Sequence, residues 1–275
     1  MVRSALYVPG NRPELFDKAL GGMADVVLLD LEDSVPPREK DSARAAVADW
    51  LRTVSPSGQR IWVRVNPGPL GEQDLAAVAL SAVAAVCLAK TESADQIDTA
   101  DALLRAHEPY PGAIRVCPLL ESAAAVLDAR TIAAAPRVAR LQLGEADLCA
   151  EVGITPGADE LELLALRTQV VLASAAAGIE PPLAPVRTDF RDLTALRRST
   201  EALARIGFRG RACIHPAQLP VVNAVFTPDA ADVDRARALV ARFDAADGGV
   251  VLDDAGRMVD LAVIRRARRL LGSHH

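Results

Sequence analysis

Short apolar runs alternate with Ala-rich amphipathic segments at a steady interval along most of the chain. The runs have strand length and lack helical periodicity, as expected for parallel strands covered on both faces. We predict strands at 5–8, 26–31, 61–65, 85–88, 114–119, 140–143, 183–186 and 212–214. We predict the intervening helices at 13–20, 40–51, 72–82, 94–106, 122–135, 160–177 and 192–206. This pattern predicts an α/β fold, a (β/α)8 TIM barrel. The alternative is a doubly wound open sheet, although the sequence has no G-x-G-x-x-G motif and no P-loop.

The pattern changes towards the end of the chain. With 275 residues and a hydrophobic fraction of 51%, the sequence is large enough for one barrel with an ample core. We assign residues 1–226 to a barrel catalytic domain and residues 227–275 to a C-terminal helical extension. The extension is predicted to contain helices at 228–244 and 261–271 around a Gly-rich turn at 247–256. We expect it to pack on the barrel or on a neighbouring subunit.

Composition limits the partners of the chain. The net charge of −5 argues against a nucleic-acid surface, and no run reaches transmembrane length without charge or proline. The N-terminus enters a predicted strand directly, which leaves no room for a signal peptide. Cysteines 87, 117, 149 and 213 lie far apart in the sequence, so we predict buried free thiols in a reducing cytosol. We therefore expect a cytoplasmic protein without nucleic-acid or membrane partners.

Carboxylates follow the second predicted strand. Asp30 and Glu32 are two residues apart, so on an extended chain their side chains project to the same side, and Asp33 follows. Ligands of parallel barrels bind at the carboxyl ends of the strands. The sequence therefore directs acids into one cavity, where a cation, a proton or a basic substrate would balance them.

Two more carboxylates follow the fifth and sixth predicted strands, namely Glu121 and Asp147. We predict no His or Cys ligand beside them. Such an oxygen-only set suits Mg2+, which takes one or two carboxylates and leaves its other positions to water and substrate. The alternative is that each acid caps the helix that follows it or pairs with an arginine.

Arg64 lies inside the third predicted strand, between apolar residues. A buried arginine needs a partner, and its planar fork suits a carboxylate or an enolate oxygen. We therefore predict that it binds substrate. The alternative is a structural ion pair with Asp30 or Glu32.

The remaining strand ends carry basic residues and a histidine. Arg12 lies in a turn after the first strand, which favours a phosphate contact, and the alternative for Arg12 and Lys18 is a solvated surface charge. Lys90 follows the fourth strand. His215 precedes a proline at a predicted helix start, where a structural hydrogen bond is the more common role than catalysis.

Several motifs of this sequence together resemble one known family. They are L-Y-V-P-G-N-R-P at 6–13, D-V-V-L-L-D-L-E-D-S-V-P-P at 25–37, W-V-R-V-N at 62–66, P-L-L-E-S at 118–122, L-G-E-A-D-L at 143–148, I-H-P-A-Q at 214–218 and M-V-D-L at 258–261. In this order they resemble the citrate lyase beta-subunit (CitE-like) proteins of the HpcH/HpaI aldolase/citrate lyase family. The resemblance covers nearly the whole chain and implies a (β/α)8 barrel that assembles as a homotrimer or a hexamer.

The resemblance also implies roles for individual residues. Glu121 and Asp147 match the family's ligands for Mg2+, with Mn2+ as an alternative metal, and Arg64 matches its arginine for the substrate carboxylate and the enolate. The acids that match the family's acidic strand, and that would order metal-bound water and bind substrate, are Asp30, Glu32 and Asp33. We count Glu32 with the catalytic residues. Arg12 and Lys18 would hold the phosphates of CoA, and Asp260 would reach a neighbouring subunit as acid/base.

The reaction implied by the resemblance is carbon–carbon cleavage, or its reverse, of a 3-hydroxyacyl-CoA thioester. Substrates of this class are citramalyl-, malyl- and citryl-CoA, and the products are an acyl-CoA and an oxoacid. Three alternatives remain open: a Mg2+-dependent 4-hydroxy-2-oxoacid aldolase, a malyl-type thioesterase, and a citrate lyase subunit that is inactive outside its complex.

Overall fold

Parallel strands form the centre of the computed structural model, which describes residues 2–55, 60–246, 251–252, 256 and 258–272. Two compact units divide the chain, one over residues 2–224 and one from residue 225 onwards. The first contains the strands β1 (Ser4–Pro9), β2 (Val26–Asp30), β3 (Ile61–Val65), β4 (Ala85–Leu88), β5 (Arg115–Leu120), β6 (Arg140–Leu143), β7 (Glu180–Leu183) and β8 (Arg211–Cys213).

The strands close into a barrel. Their order is β7-β6-β5-β4-β3-β2-β1-β8, and all neighbouring pairs are parallel. Ala184 bridges the two ends of this order, because its N–H donates to the carbonyl of Gly210 (2.9 Å) and its carbonyl accepts from the N–H of Ala212 (3.0 Å). The predicted (β/α)8 TIM barrel is thereby confirmed, and the open sheet is excluded.

The strand predictions differ from the structure mainly at β7. The predicted bounds of β3, β4 and β6 agree with those observed. In contrast, β7 begins three residues before the predicted 183–186, and it includes Pro181 and Pro182. Proline cannot donate to a sheet ladder, so two prolines hide the strand signal in the sequence.

Helices separate the strands of the barrel. They are α1 (Phe16–Leu20), α2 (Lys40–Thr53), α3 (Gly68–Val78), α4 (Ala94–His107), α5 (Ala123–Leu127), α6 (Ala129–Ala134), α7 (Glu145–Val152), α8 (Leu164–Ala177), α9 (Leu193–Ile206) and α10 (Leu219–Phe226). The helix predicted at 122–135 is two helices that meet at Asp128. Two short helices, α7 and α10, were not predicted, and α7 ends at Gly153, whose φ of 74° suits glycine.

The inward face of the strands passes from apolar to polar towards their carboxyl ends. On β2, Val26 and Leu28 belong to the buried interior cluster, and Asp30 is the next residue on the same face. On β3, Trp62 belongs to that cluster and Arg64 follows it. The barrel interior is therefore closed by apolar layers below, and its last layer presents charged groups.

The cysteines of the barrel are free thiols. Cys87, Cys117 and Cys213 are buried, as predicted, whereas Cys149 on α7 is half-buried. Among the described residues, no helix combines the length and the apolar character that crossing a membrane requires.

The second unit contains α11 (Ala230–Ala245), the antiparallel strands β9 (Val251–Leu252) and β10 (Met258–Val259), and α12 (Leu261–Gly272). Val259 and Ile264 are buried against Leu239 and Phe243, so the two helices pack on each other. The two predicted helices are therefore confirmed. Most of the predicted Gly-rich turn at 247–256 lies outside the described residues, as does the tail at 273–275.

Leu28 tests the packing of the barrel interior. Its side chain is fully buried, so Leu28→Ala should lower the free energy of unfolding by about 2–5 kcal/mol. Leu172→Ala on α8 is the matched control, because Leu172 is 63% exposed and its truncation should change stability by less than about 0.5 kcal/mol. Urea unfolding of both variants measures the difference, and equal losses would contradict the packing described.

Candidate active site

A buried ion pair joins the carboxyl ends of β2 and β3. Asp30 and Arg64 are register partners, and their side chains meet in two hydrogen bonds, from Nε to Oδ1 (2.6 Å) and from Nη2 to Oδ2 (2.7 Å). The backbone N–H groups of Glu32 and Ser34 also donate to this carboxylate. Burial acts to raise the pKa of Asp30, but the hydrogen bonds and charge of Arg64 outweigh it and hold that pKa below its usual value.

Arg64 is surrounded by the acids of the predicted acidic strand, which we call the acidic wall (Asp30, Glu32 and Asp33). Its Nη1 lies 2.9 Å from Oε2 of Glu32 and 3.4 Å from Oδ2 of Asp33, and its guanidinium lies over the ring of Tyr7 at 4.9 Å. Three hydrogen bonds use three of its five N–H donors. The contact with Glu32 engages the second N–H of Nη1, so one N–H of Nη2 remains. The structure therefore contains the ion pair that was the alternative for Arg64.

Lys90 connects the acidic wall with the two acids of the neighbouring strand ends. Its Nζ lies 2.8 Å from Oε1 of Glu32, 3.5 Å from Oδ2 of Asp147 and 4.0 Å from Oδ1 of Asp33. Its backbone N–H donates to Oε2 of Glu121 (2.9 Å). The sequence placed Lys90 at a strand end but gave it no role. Only the fold reveals how many carboxylates it contacts.

Glu121 follows β5 and is buried, with 8% of its surface exposed. Burial raises its pKa to about 7, against the opposing effect of the Lys90 N–H. Gly144 makes room for it, because a Cβ at residue 144 would lie 2.5 Å from Cγ of Glu121 and 2.8 Å from its Oε1. The glycine of the L-G-E-A-D-L motif is therefore required by this close approach.

Asp147 lies in the first turn of α7, and its side chain is about half exposed. Glu145, in the same turn, pairs through both oxygens with Arg167 of α8 (2.5 and 2.7 Å). Arg167 also contacts Glu160 (2.8 Å), which pairs with Arg187 (3.1 Å). This network fixes the first turn of α7 and with it the direction of Asp147.

One cavity of about 880 Å3 is lined by several of these groups, although Glu32 and Lys90 are not among its lining residues. The acids and the arginine that line it include Asp30, Asp33, Arg64, Glu121 and Asp147. Apolar side chains such as Leu119, Leu143, Val186 and Ile214 line the space between its charged parts. Its volume lies at the upper end of the range for ligand pockets. The cavity is therefore larger than the space that a small oxoacid alone would fill.

Two predicted basic residues do not line this cavity. Arg12 is exposed and its Nε pairs with Glu14 (2.5 Å), and Lys18 is exposed on α1. Their predicted contact with CoA phosphates stays a prediction. So does the acid/base role of Asp260, which belongs to the second unit, where its Oδ1 accepts the N–H of Val263 (2.9 Å) and caps α12.

His215 has the structural role that the sequence favoured. Its Nδ1 accepts the N–H of Ala217 (3.1 Å), which caps a short 3-10 helix, and its ring stacks on Phe190 at 4.6 Å. Among the described residues, no three His, Cys, Asp or Glu side chains form a ready-made metal cage.

The raised pKa of Glu121 predicts a pH-dependent effect of Glu121→Gln. In the folded protein the protonated form is favoured, so wild type should lose stability as the pH rises from about 4.5 to about 7. Glutamine cannot ionise and keeps an oxygen for the Lys90 N–H. In EDTA at pH 8, the free energy of unfolding of the variant should therefore exceed that of wild type by about 2–4 kcal/mol. Near pH 4.5 the two proteins should be almost equally stable.

Urea unfolding across this pH range measures the effect of Glu121→Gln. Glu72→Gln on α3 is the control, because Glu72 is exposed. A stability difference for Glu121→Gln that does not change with pH would contradict the raised pKa.

The chain resembles known proteins over almost its whole length. A family model described as HpcH/HpaI aldolase/citrate lyase matches residues 3–216. A (3S)-malyl-CoA thioesterase of Cereibacter sphaeroides is 34% identical, over 98% of this chain and 93% of the relative. An L-malyl-CoA/beta-methylmalyl-CoA lyase of the same species is 32% identical, over 96% of this chain and 92% of the relative.

The crystal structure of CitE from Mycobacterium tuberculosis in complex with magnesium, acetoacetate and coenzyme A has 33% identity and a TM-score of 0.78, and the match covers 98% of this chain and 96% of that one. The expectation from the motifs is thus confirmed, and the chain belongs to the HpcH/HpaI aldolase/citrate lyase family.

Proposed function

We propose that this protein is a Mg2+-dependent carbon–carbon lyase that cleaves or forms a 3-hydroxyacyl-CoA thioester of the malyl, citramalyl or citryl class. The observation that carries the proposal is the joint position of Arg64, Glu121 and Asp147 on one cavity. Such a cavity combines a fixed cation for an anionic oxygen with two carboxylates for a metal. The names of two relatives, a malyl-CoA lyase and a malyl-CoA thioesterase, support a CoA thioester as substrate.

Glu121 and Asp147, which we call the proposed metal pair, fit Mg2+ by chemistry and by environment. Both offer carboxylate oxygens, the ligands that Mg2+ prefers, and two are enough when water and substrate fill the other positions. The burial that raises the pKa of Glu121 to about 7 is the kind of penalty that a bound cation removes. When bound there, Mg2+ supplies a Lewis acid for the hydroxyl and carboxylate oxygens of the oxoacid half. Mn2+ has the same ligand preference and would substitute for it.

Arg64 is suited to stabilise the oxygen on which negative charge develops. Asp30 holds its guanidinium from one side through two hydrogen bonds, and Glu32 and Asp33 contact Nη1, so the guanidinium needs no reorganisation during the reaction. In the cleavage direction, the substrate hydroxyl would give its proton to a carboxylate of the site and become the carbonyl of the oxoacid. The bond between the thioester α-carbon and that carbon would break, and its electron pair would move into the thioester enolate. We assign Arg64 to that enolate oxygen or to the substrate carboxylate.

The other predicted residues complete the proposal. Asp260 of a neighbouring subunit would give the proton that the α-carbon gains, and the assembly would be a trimer or a hexamer. Glu32, Asp30 and Asp33 would act on the reaction by holding Arg64 and by ordering water, the common role of groups around a metal's direct ligands. Arg12 and Lys18 would contact the phosphates of CoA.

Thioester hydrolysis is the second candidate function, and the 34% identity to a malyl-CoA thioesterase favours it. A lyase and a thioesterase can share the metal and the arginine, and they differ in which bond of the substrate breaks. An aldolase with a histidine base finds less support, because His215 does not line the cavity and its Nδ1 accepts the N–H of Ala217. The proton of the neutral ring then lies on Nε2, so neither nitrogen is free to act as a base.

Product analysis separates these reactions. Purified protein with Mg2+ should convert at least one of malyl-, citramalyl- and citryl-CoA into an oxoacid, trapped as its phenylhydrazone, and an acyl-CoA. Free CoA thiol in place of acyl-CoA would identify a thioesterase. Turnover of free 4-hydroxy-2-oxoacids alone would identify an aldolase. Inactivity on every substrate would support a subunit that works only within a citrate lyase complex.

Asp147→Asn tests the proposed metal pair. The change removes one anionic ligand without altering packing, so we expect Mg2+ affinity to fall by at least about tenfold and activity to fall with it. Asp98→Asn on α4 is the control, because Asp98 is exposed and does not line the cavity. Calorimetric Mg2+ titration and the product assay give the two readouts. Wild-type affinity in Asp147→Asn would remove Asp147 as a ligand.

Asp260→Asn tests the acid/base role. Asparagine caps a helix about as well as aspartate, so α12 should persist while the ionisable group is lost. We expect turnover to fall by about 100-fold or more with unchanged Mg2+ affinity. Asp229→Asn is the matched control, since Asp229 caps α11 in the same way through the N–H of Ala231 (2.8 Å). Equal turnover in the two variants would refute the role of Asp260.

A further inference from the structure

Lys90 is where the acidic wall meets the proposed metal pair. Its ammonium lies within 4.0 Å of carboxylate oxygens of Glu32, Asp33 and Asp147, and its backbone N–H binds Glu121. No other lysine contacts these acids among the residues that the structure describes, because Lys40 donates to the carbonyls of Leu31 and Glu32 instead. One residue therefore touches both members of the proposed metal pair.

The backbone of Lys90 is adapted to this position. Its φ of 52° is in the left-handed region, which is uncommon for a residue with a Cβ and costs about 1 kcal/mol or more. Such a conformation persists only where the surroundings enforce it, and here it coincides with the hydrogen bond from the Lys90 N–H to Glu121. Both the backbone and the side chain of Lys90 thus contact acids of this site.

The charges around Lys90 are unbalanced. Five carboxylates belong to the acidic wall and the proposed metal pair, whereas Arg64 and Lys90 are the cations that contact them among the described residues. Asp30 already pairs with Arg64 through both oxygens. Arg64 and Lys90 share Glu32 and Asp33, whereas Lys90 is the cation that contacts Asp147 among the described residues. The ammonium of Lys90 therefore lies beside a carboxylate that would bind a metal.

We propose that the Lys90 ammonium is the built-in counter-cation of this site, and that it competes with Mg2+ for Asp147. Because the ammonium and the metal would share the same carboxylate, binding of Mg2+ requires Lys90 to withdraw from Asp147 towards Glu32. Lys90 thereby lowers the affinity of the site for divalent cations. When no divalent cation is bound, its ammonium offsets the repulsion between the carboxylates. This proposal rests on the proposed metal pair, and it concerns how tightly the metal is held.

The direction in which Mg2+ affinity changes when the ammonium is removed tests the proposal. Lys90→Gln and Lys90→Gly both remove the ammonium, and glycine accepts the left-handed backbone without strain. Each variant should bind Mg2+ at least about tenfold more tightly than wild type in calorimetric titration, because one positive charge beside the metal is gone. Lys90→Arg keeps a cation and should stay near wild type. Arg130→Gln on α6 removes an exposed charge elsewhere and should not change the affinity.

Thermal unfolding in EDTA gives a second readout. Without the ammonium the carboxylates repel one another, so the melting temperature of Lys90→Gln should fall below that of wild type in EDTA and rise more steeply with Mg2+. Unchanged or weaker Mg2+ binding in folded Lys90→Gln and Lys90→Gly would overturn the counter-cation role. Failure of wild type to bind Mg2+ in an Asp147-dependent manner would overturn the proposed metal pair instead, so the two failures are distinguishable.

Discussion

The ion pair between Arg64 and Asp30 is the interaction on which the rest of the site depends. A charged group on the inward face of a barrel strand is costly unless it is paired, and removing one partner from such a pair typically costs about 3–5 kcal/mol. Asp30 meets this requirement with both oxygens, and it also accepts the N–H groups of Glu32 and Ser34. The same carboxylate therefore fixes Arg64 and folds the chain after β2 so that Glu32 and Asp33 face Arg64 and Lys90.

A different constraint, close packing around Glu121, positions the acids on the other side of the cavity. Glu121 is buried against residue 144, where only glycine leaves room for it, and Lys90 supplies the N–H that it accepts. The pairing of Glu145 with Arg167 then fixes the first turn of α7, from which Asp147 reaches the cavity. A metal bound by these acids would meet one carboxylate held rigidly inside the barrel and one that remains half exposed.

Much of this arrangement was accessible from the sequence because it follows from periodicity. Apolar runs marked the strands, and the acids after β2, β5 and β6 marked the rim of the barrel. The motifs at these positions correctly predicted the family. What periodicity could not give was pairing across strands. Whether Arg64 binds Asp30 or substrate depends on register, and the several contacts of Lys90 depend on a left-handed backbone. The sequence did not predict helix α7, because its acids were interpreted as strand ends. It predicted β7 three residues too late, because two prolines hide the start of the strand.

The location of a bound metal is the sharpest test of the proposed metal pair. Crystals of the protein grown with Mn2+ and an oxoacid, measured at the manganese absorption edge, would show the ion by its anomalous scattering. We expect one peak per site, within about 2.0–2.3 Å of carboxylate oxygens of Glu121 and Asp147, with Arg64 still paired to Asp30. A peak bound instead by Glu32 and Asp33, or an ion without contact to Asp147, would contradict it.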